Sequence, residues 1–333
     1  MTPVLVVIGV LVAIAITLLV TLAVRHVMLA RRDRRTADGE RRMRPVAIEL
    51  LEGTGEPPPL ASADRAALAA AIGRYSRKVS GATAVRIAQY FRDSGGLDAA
   101  FAGMGARAPW RRASAAYSLG DMACSEAVPV LIDALDDRSD EVRAAAVRSL
   151  GRLRDPSVAE PLVESLVARR VPRGMTGAAL LEIGAPAVPE LRRIARHENP
   201  RVRAVAVTVL GLVGDSGDAD LALAALSDPI ADVRAAAARA LARIGMSAAE
   251  PALRTALDDD APVVRAEAAA AMGAIHAKQA VPRLLHIART DRFRPARAAA
   301  QAVAEIDRAI LAEAAARPGA GAHLHEAADL AAL

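Results

Sequence analysis

The chain predicts an all-α solenoid of about seven short helical hairpins, and three observations carry that prediction. The first is a unit. From Ser227 to Leu257 the sequence SDPIADVRAAAARALARIGMSAAEPALRTAL reads as a polar Asp-Pro turn, a helix, a break at Gly245 and a second helix. Val233, Ala237, Leu241 and Ile244 share one face of the first helix, and Ala249, Leu253 and Leu257 share one face of the second. The second observation is a recurring arginine near the start of each first helix: Arg112, Arg143, Arg173, Arg203, Arg234, Arg265 and Arg297, at separations of 31, 30, 30, 31, 31 and 32 residues. The third is punctuation in phase with it. Gly120, Gly151, Gly211 and Gly273 fall eight residues after the arginine, and Gly184, Gly214 and Gly245 fall eleven after it. Pro129, Pro161, Pro189, Pro251 and Pro282 open the second helices. Proline suits a first helical turn and glycine the turn that ends a helix, so these glycines read as helix ends. Two short amphipathic helices cannot bury their apolar faces alone, so each unit needs a copy on either side.

The run DDRSDEVRAAAVRSLG at 136–151 shows the pattern in its cleanest form. It resembles HEAT-like repeats of the short bacterial type, also called phycobilisome-lyase-type repeats, and the similarity extends over roughly Ala108 to Ala316. That resemblance implies a protein-binding scaffold whose second helices line the concave side. Proteins that look similar, with one membrane anchor followed by such repeats, imply a membrane-enzyme partner such as a glycosyltransferase. The alternative it implies is a HEAT-repeat lyase or cofactor-handling enzyme. Hydroxylases built on these repeats use repeated His-Glu pairs as metal ligands, and this chain has only His197-Glu198 and His325-Glu326. No phosphate loop, nucleophile elbow or paired-carboxylate frame is present either. The expectation is therefore a non-catalytic protein with no cofactor, no metal and no small-molecule substrate.

Taken in order, residues 1–30 read as a transmembrane anchor. Pro3 to Val24 carry no charge and are almost all Val, Leu, Ile and Ala. As a helix this run spans about 33 Å, enough to cross a hydrocarbon core of about 30 Å. No basic residue precedes it, and it exceeds the usual apolar region of a cleaved signal peptide. Residues 31–61 read as a basic juxtamembrane segment, including Arg31, Arg32, Arg34 and Arg35, followed by a linker stiffened by Pro57, Pro58 and Pro59. The arginines lie on the carboxyl side of the apolar run, which predicts an outside amino terminus and cytoplasmic repeats. Residues 62–107 predict a helical cap, since six of the aromatic residues cluster there and just beyond: Tyr75, Tyr90, Phe91, Phe101, Trp110 and Tyr117. Residues 108–316 are the repeats, and 317–333 read as a flexible tail.

Charge narrows the partner. Eight arginines between Arg25 and Arg44 against Asp33, Asp38 and Glu40 account for the whole formal excess of +5. The repeats are neutral, and only Phe293 is aromatic after Tyr117. A nucleic-acid-binding solenoid needs a basic surface, so that class is set aside. The single Cys124 excludes an intrachain disulfide.

The recurring arginines, each near an Asp-rich loop, predict a structural ladder of charge-assisted hydrogen bonds between repeats. The candidate partner surface is the solvent side of the second helices. It runs from Glu126, Asp133, Glu160, Glu164 and Glu190 through the uncharged Leu221 and Leu223 to Arg283, His286 and Arg289. Two departures stand out. Repeat three replaces its acidic loop with Arg169-Arg170-Val171-Pro172-Arg173, with a first helix uncharged from Met175 to Leu181, and repeat four has a second helix uncharged from Leu221 to Leu226. An uncharged helix in such a stack is either deeply buried or contacts something else.

Overall fold

Alanine loses no side-chain freedom on entering a helix, and its small side chain lets neighbouring helices approach closely. Alanine-rich repeats of this kind therefore fold as helices packed at short range. The structure, a computed structural model, describes residues 37–55, 61–76 and 81–331, and every regular element among them is helical. The chain divides into two compact units, one ending at Ala100 and taking in Asp121–Cys124, the other comprising Phe101–Gly120 and everything from Ser125. The predicted anchor and Arg31, Arg32, Arg34 and Arg35 lie outside the described residues. Among the described residues no helix is long and apolar enough to cross a membrane.

In the first unit residues 37–52 are helical (α1), followed by α2 (Ser62–Ser76) and α3 (Ala82–Asp93); α4 (Gly96–Met104) leads into the repeats. Within the segment 31–61, read as a basic juxtamembrane segment and linker, residues 37–52 are helical, while Pro57, Pro58 and Pro59 lie outside the described residues. Ala47, Leu50 and Leu51 are buried. Arg42 pairs with Asp64 at 3.2 Å, Arg44 Nε donates to the Tyr75 hydroxyl at 3.0 Å, and Arg86 Nε donates to the Leu51 carbonyl at 3.2 Å. Part of the basic segment is thus tied into the fold. The aromatic cap is smaller than the sequence suggests. Tyr90 and Phe91 are buried and meet edge to face at 5.3 Å, and burial pushes the Tyr90 phenol up. Trp110, by contrast, is 61 % exposed beneath the Arg111 guanidinium.

The second unit contains seven hairpins. They are α5 (Pro109–Asp121) with α6 (Val128–Asp133), α7 (Asp140–Leu153) with α8 (Ala159–Val167), and α9 (Arg173–Ile183) with α10 (Val188–Ile194). Next come α11 (Pro200–Val213) with α12 (Ala219–Ala225) and α13 (Ala231–Ile244) with α14 (Glu250–Ala256). The last are α15 (Pro262–Ala274) with α16 (Val281–Thr290) and α17 (Phe293–Ile306) with α18 (Arg308–Ala316). Pro129, Pro189, Pro251 and Pro282 sit in the first turns of their second helices. The predicted core faces are buried: Val233, Ala237, Leu241, Ala249, Leu253 and Leu257 are wholly inaccessible, and Ile244, at a helix end, is half-buried.

Two readings change. Gly120, Gly151, Gly211 and Gly273 lie inside first helices rather than ending them. A Cβ on Gly211 would sit 2.6 Å from the Ala240 Cα, and one on Gly151 would sit 2.7 Å from the Ala179 Cα. These glycines let successive first helices touch backbone to backbone. Gly184 and Gly245 do end helices, at φ of +77° and +70°. The tail is the second correction, because Ala322–Ala331 form α19 with Leu324 and Ala327 buried. Its His323 ring meets Phe293 edge to face at 5.0 Å. A terminal repeat leaves one apolar face uncovered, and this helix covers it.

Candidate functional site

Four of the seven recurring arginines form a ladder of two-pronged ion pairs. Arg112 Nε and Nη2 lie 2.7 and 2.8 Å from the Asp137 carboxylate, Arg203 lies 2.7 and 2.9 Å from Asp228, Arg234 lies 2.7 and 2.8 Å from Asp259, and Arg265 lies 2.6 and 2.7 Å from Asp291. Each aspartate stands just after the second helix of the same hairpin, in the loop that leads into the next repeat. Each remaining guanidinium nitrogen donates backward to a backbone carbonyl, as Arg234 Nη1 does to Asp228 O at 2.9 Å. Each aspartate also accepts from a backbone N–H at the start of the next first helix, those of Ser139, Ile230, Ala261 and Arg292. One side chain thereby ties three segments together.

The electrostatics follow from these contacts. Hydrogen bonds from Arg112, Arg234 and Arg265 hold the Asp137, Asp259 and Asp291 carboxyls below the ordinary carboxylate range. Burial pushes Asp228 up, but Arg203 and the Ile230 N–H outweigh it and its carboxyl is also lowered. A carboxylate whose folded pKa is depressed stabilises fully above its unfolded value of about 4, and that stability is lost as pH falls through the folded values. Thermal midpoints should therefore stay level through neutral pH and drop below about pH 4. Asp259→Asn should cost about 1–2 kcal/mol at pH 7 and flatten the acid limb, since the pair is partly solvated. An unchanged acid limb in that variant would remove the ladder from the stability argument.

The ladder fails at repeat three. Arg143 finds no aspartate there, because the residues in phase are Ala168 and Arg169. Its Nε donates to the Arg170 carbonyl at 2.7 Å instead, and another nitrogen bonds Asp140 on its own helix. Arg173 and Arg297 make only loose pairs, with Asp232 at 3.6 Å and Glu326 at 3.8 Å. The sequence reading missed Asp218, whose buried carboxylate accepts from Arg192 Nε at 2.6 Å and from the Asp215 N–H at 3.1 Å. Nothing about its spacing marks it, since only one repeat has this pair.

The second helices hold the predicted partner residues, but as a set of local pairs. Glu126 lies in the turn before α6, Asp133 ends α6, and Glu160 and Glu164 are exposed on α8. Glu190 bonds Arg193 within α10, and Arg283 on α16 pairs with Asp258. His286 and Arg289 are exposed. Arg192 and Arg193 interrupt the acidic stretch, and Leu221 and Leu223 are half-buried, with Leu223 packed on the core. The uncharged run of α12 between the acidic and basic stretches is thus only partly accessible.

Two grooves lie along the first helices. One, of about 400 Å³, crosses α9, α11 and α13 over Gly177, Leu181, Val205, Thr208, Leu212 and Ala235, with Arg173, Asp232 and Arg239 as its charged lining. Leu181 and Leu212, both in its lining, are 40 % and 39 % exposed. A second, of about 940 Å³, opens where α7, α9 and α11 begin, and shares Arg173 and Asp232 with the first. The uncharged helix of repeat three thus forms a wall of the apolar groove. His197 Nδ1 accepts from the Asn199 N–H at 2.9 Å, and His325 Nδ1 lies 2.8 Å from the Gly321 carbonyl, so both contacts are local. Among the described residues no cluster of three His, Cys, Asp or Glu could hold a metal.

An all-α stack of helical hairpins with a repeated arginine–aspartate ladder defines a helical-repeat protein. The family model for HEAT repeats matches residues 97–180 and 219–304, just over half of the chain, and the chain belongs to that family. No curated protein matches. Among solved structures the chain is similar to human deoxyhypusine hydroxylase in complex with glycerol, at 23 % identity over 81 % of this chain and 97 % of that one, with a TM-score of 0.32. It is similar to the complex of CpcE and CpcF of phycocyanin lyase from Nostoc sp. PCC7120, at 21 % identity over 76 % and 97 %, with a TM-score of 0.30. It is also similar to a chain of the Kap95:Nup1 complex, at 15 % identity and a TM-score of 0.53, over 85 % of this chain and 46 % of that one. At these identities the likeness speaks to fold alone.

Proposed function

We propose that this chain is a membrane-anchored scaffold that holds a protein partner in the groove of its first helices. One observation carries the reading. The groove across α9, α11 and α13 is lined by small and apolar residues, with Leu181 and Leu212 exposed, and only Arg173, Asp232 and Arg239 of its lining are charged. A stacked array has no structural use for exposed leucines in a concavity, whereas an apolar lining with a few charged groups suits a bound polypeptide. The apolar run Pro3 to Val24 and the arginines after it support an anchor with cytoplasmic repeats, and a membrane enzyme such as a glycosyltransferase fits that placement.

A photo-crosslinking residue at Leu212 should join the partner in native membranes, and one at Glu164 should not. Leu212→Asp should abolish the adduct from a crosslinker at Leu181 and leave the melting curve within about 0.5 kcal/mol of the parent, as surface changes do. An adduct formed only from Glu164 moves the site to the second helices. The anchor has its own test. A reporter fused after Leu333 should be cytoplasmic, and the chain should stay with membranes in high salt. Release of the repeats into an external fraction would show that the first segment is cleaved.

A further inference from the structure

We infer that the larger cavity at the start of repeat three receives an acidic stretch of the bound polypeptide, adjoining the apolar groove. The inference rests on the groove reading above and adds the chemistry of the partner. Everywhere the ladder is complete, an aspartate stands at this point of the repeat, engaging the preceding arginine and the N–H groups of the next helix. Here the chain has Ala168 and Arg169 in phase, so a negative charge is replaced by a positive one. Five guanidiniums line the cavity, from Arg143, Arg169, Arg170, Arg173 and Arg201, against the carboxylates of Asp140, Glu141 and Asp232. Arg143, Arg170 and Arg173 have carboxylate partners in Asp140, Asp136 and Asp232. Arg169 and Arg201 have none among the described residues, and both side chains are exposed.

Two further features point the same way. The helix α9 begins after Pro172, which has no side-chain oxygen to cap it, and its first turn has no acidic residue. The N–H groups of Arg173 and Gly174 therefore lack an acceptor among the described residues, at the positive end of a helix. Arg169 adopts φ of +56°, an unusual conformation for a residue with a Cβ, at the turn that leads into this cavity. Because Arg173 and Asp232 line both cavities, one extended segment can put carboxylates among the arginines and apolar side chains over Leu181 and Leu212. Guanidinium favours carboxylate through paired hydrogen bonds, so charge complementarity selects an acidic polypeptide.

The test uses the full chain in detergent micelles and a fluorescent peptide of several glutamates followed by leucines and alanines. Binding should be seen by anisotropy and should weaken by at least about tenfold in Arg169→Glu with Arg201→Glu, in Arg169→Gln with Arg201→Gln, and when the glutamates become glutamines. Raising salt should weaken the parent more than the glutamine pair. If the peptide does not bind, or if the arginine variants and the glutamine peptide bind as well as the parents, the acidic subsite is wrong. Loss of binding in Leu212→Asp alone would then leave the apolar groove standing. Loss in the arginine variants with Leu212→Asp unaffected would keep the subsite and sink the groove. Displacement of the peptide by inorganic phosphate at comparable concentration would assign the cavity to a free anion and overturn the proposal.

Discussion

Leu241→Asp should unfold the repeats around it, at a cost of about 5 kcal/mol or more. Leu241 is wholly inaccessible on α13, among residues of α14 and α15 in the same core cluster. Truncating a buried leucine alone costs about 2–5 kcal/mol, and the carboxylate adds the penalty of an unpaired buried charge. In a stack where each hairpin rests only on its neighbours, that loss exposes the flanking faces as well. Circular dichroism of the full chain in detergent should show a lower or split thermal transition. If this variant melts like the parent, the buried face is assigned to the wrong side of the helix.

Gly211→Ala should destabilise the protein by about 2–3 kcal/mol, although intrinsic propensity favours alanine in a helix by about 1 kcal/mol. The new Cβ would lie 2.5 Å from the Ala240 Cβ and 2.6 Å from its Cα. Those are a backbone and a side chain with no rotamer to move, so α11 and α13 must separate along their contact. Gly245→Ala is the control, since a Cβ there meets nothing within 4 Å and only the left-handed φ of +70° resists it. Its cost should be nearer 1 kcal/mol. Stabilisation by Gly211→Ala would mean that this glycine is only a weak point in the helix, as a reading from propensity would have it.

The two glycine classes show where sequence reasoning stops. Both recur in phase with the arginine, and both look like helix ends, because spacing along the chain does not reveal which helix passes across it. Only the crossing of α11 over α13 shows that Gly211 is a contact and Gly245 a cap. The helical cover at the carboxyl end was hidden for a related reason. The stretch after Arg317 has no repeat signature, and its burial of Leu324 depends on the unfilled face of α17 and α18.

Seven hairpins, their buried faces and the ladder at Arg112, Arg203, Arg234 and Arg265 were legible in the sequence, since each follows from periodicity and from residues a fixed distance apart. Short-range chemistry repeated seven times leaves a regular mark. The groove was not legible. Leu181, Leu212 and Arg239 sit on different repeats, and what makes them one surface is the lateral packing of first helices through glycine and alanine. The charge reversal at Arg169 could be read from the chain, but its meaning could not. Only the folded ladder shows that an aspartate belongs there and that the arginines around it converge on one cavity.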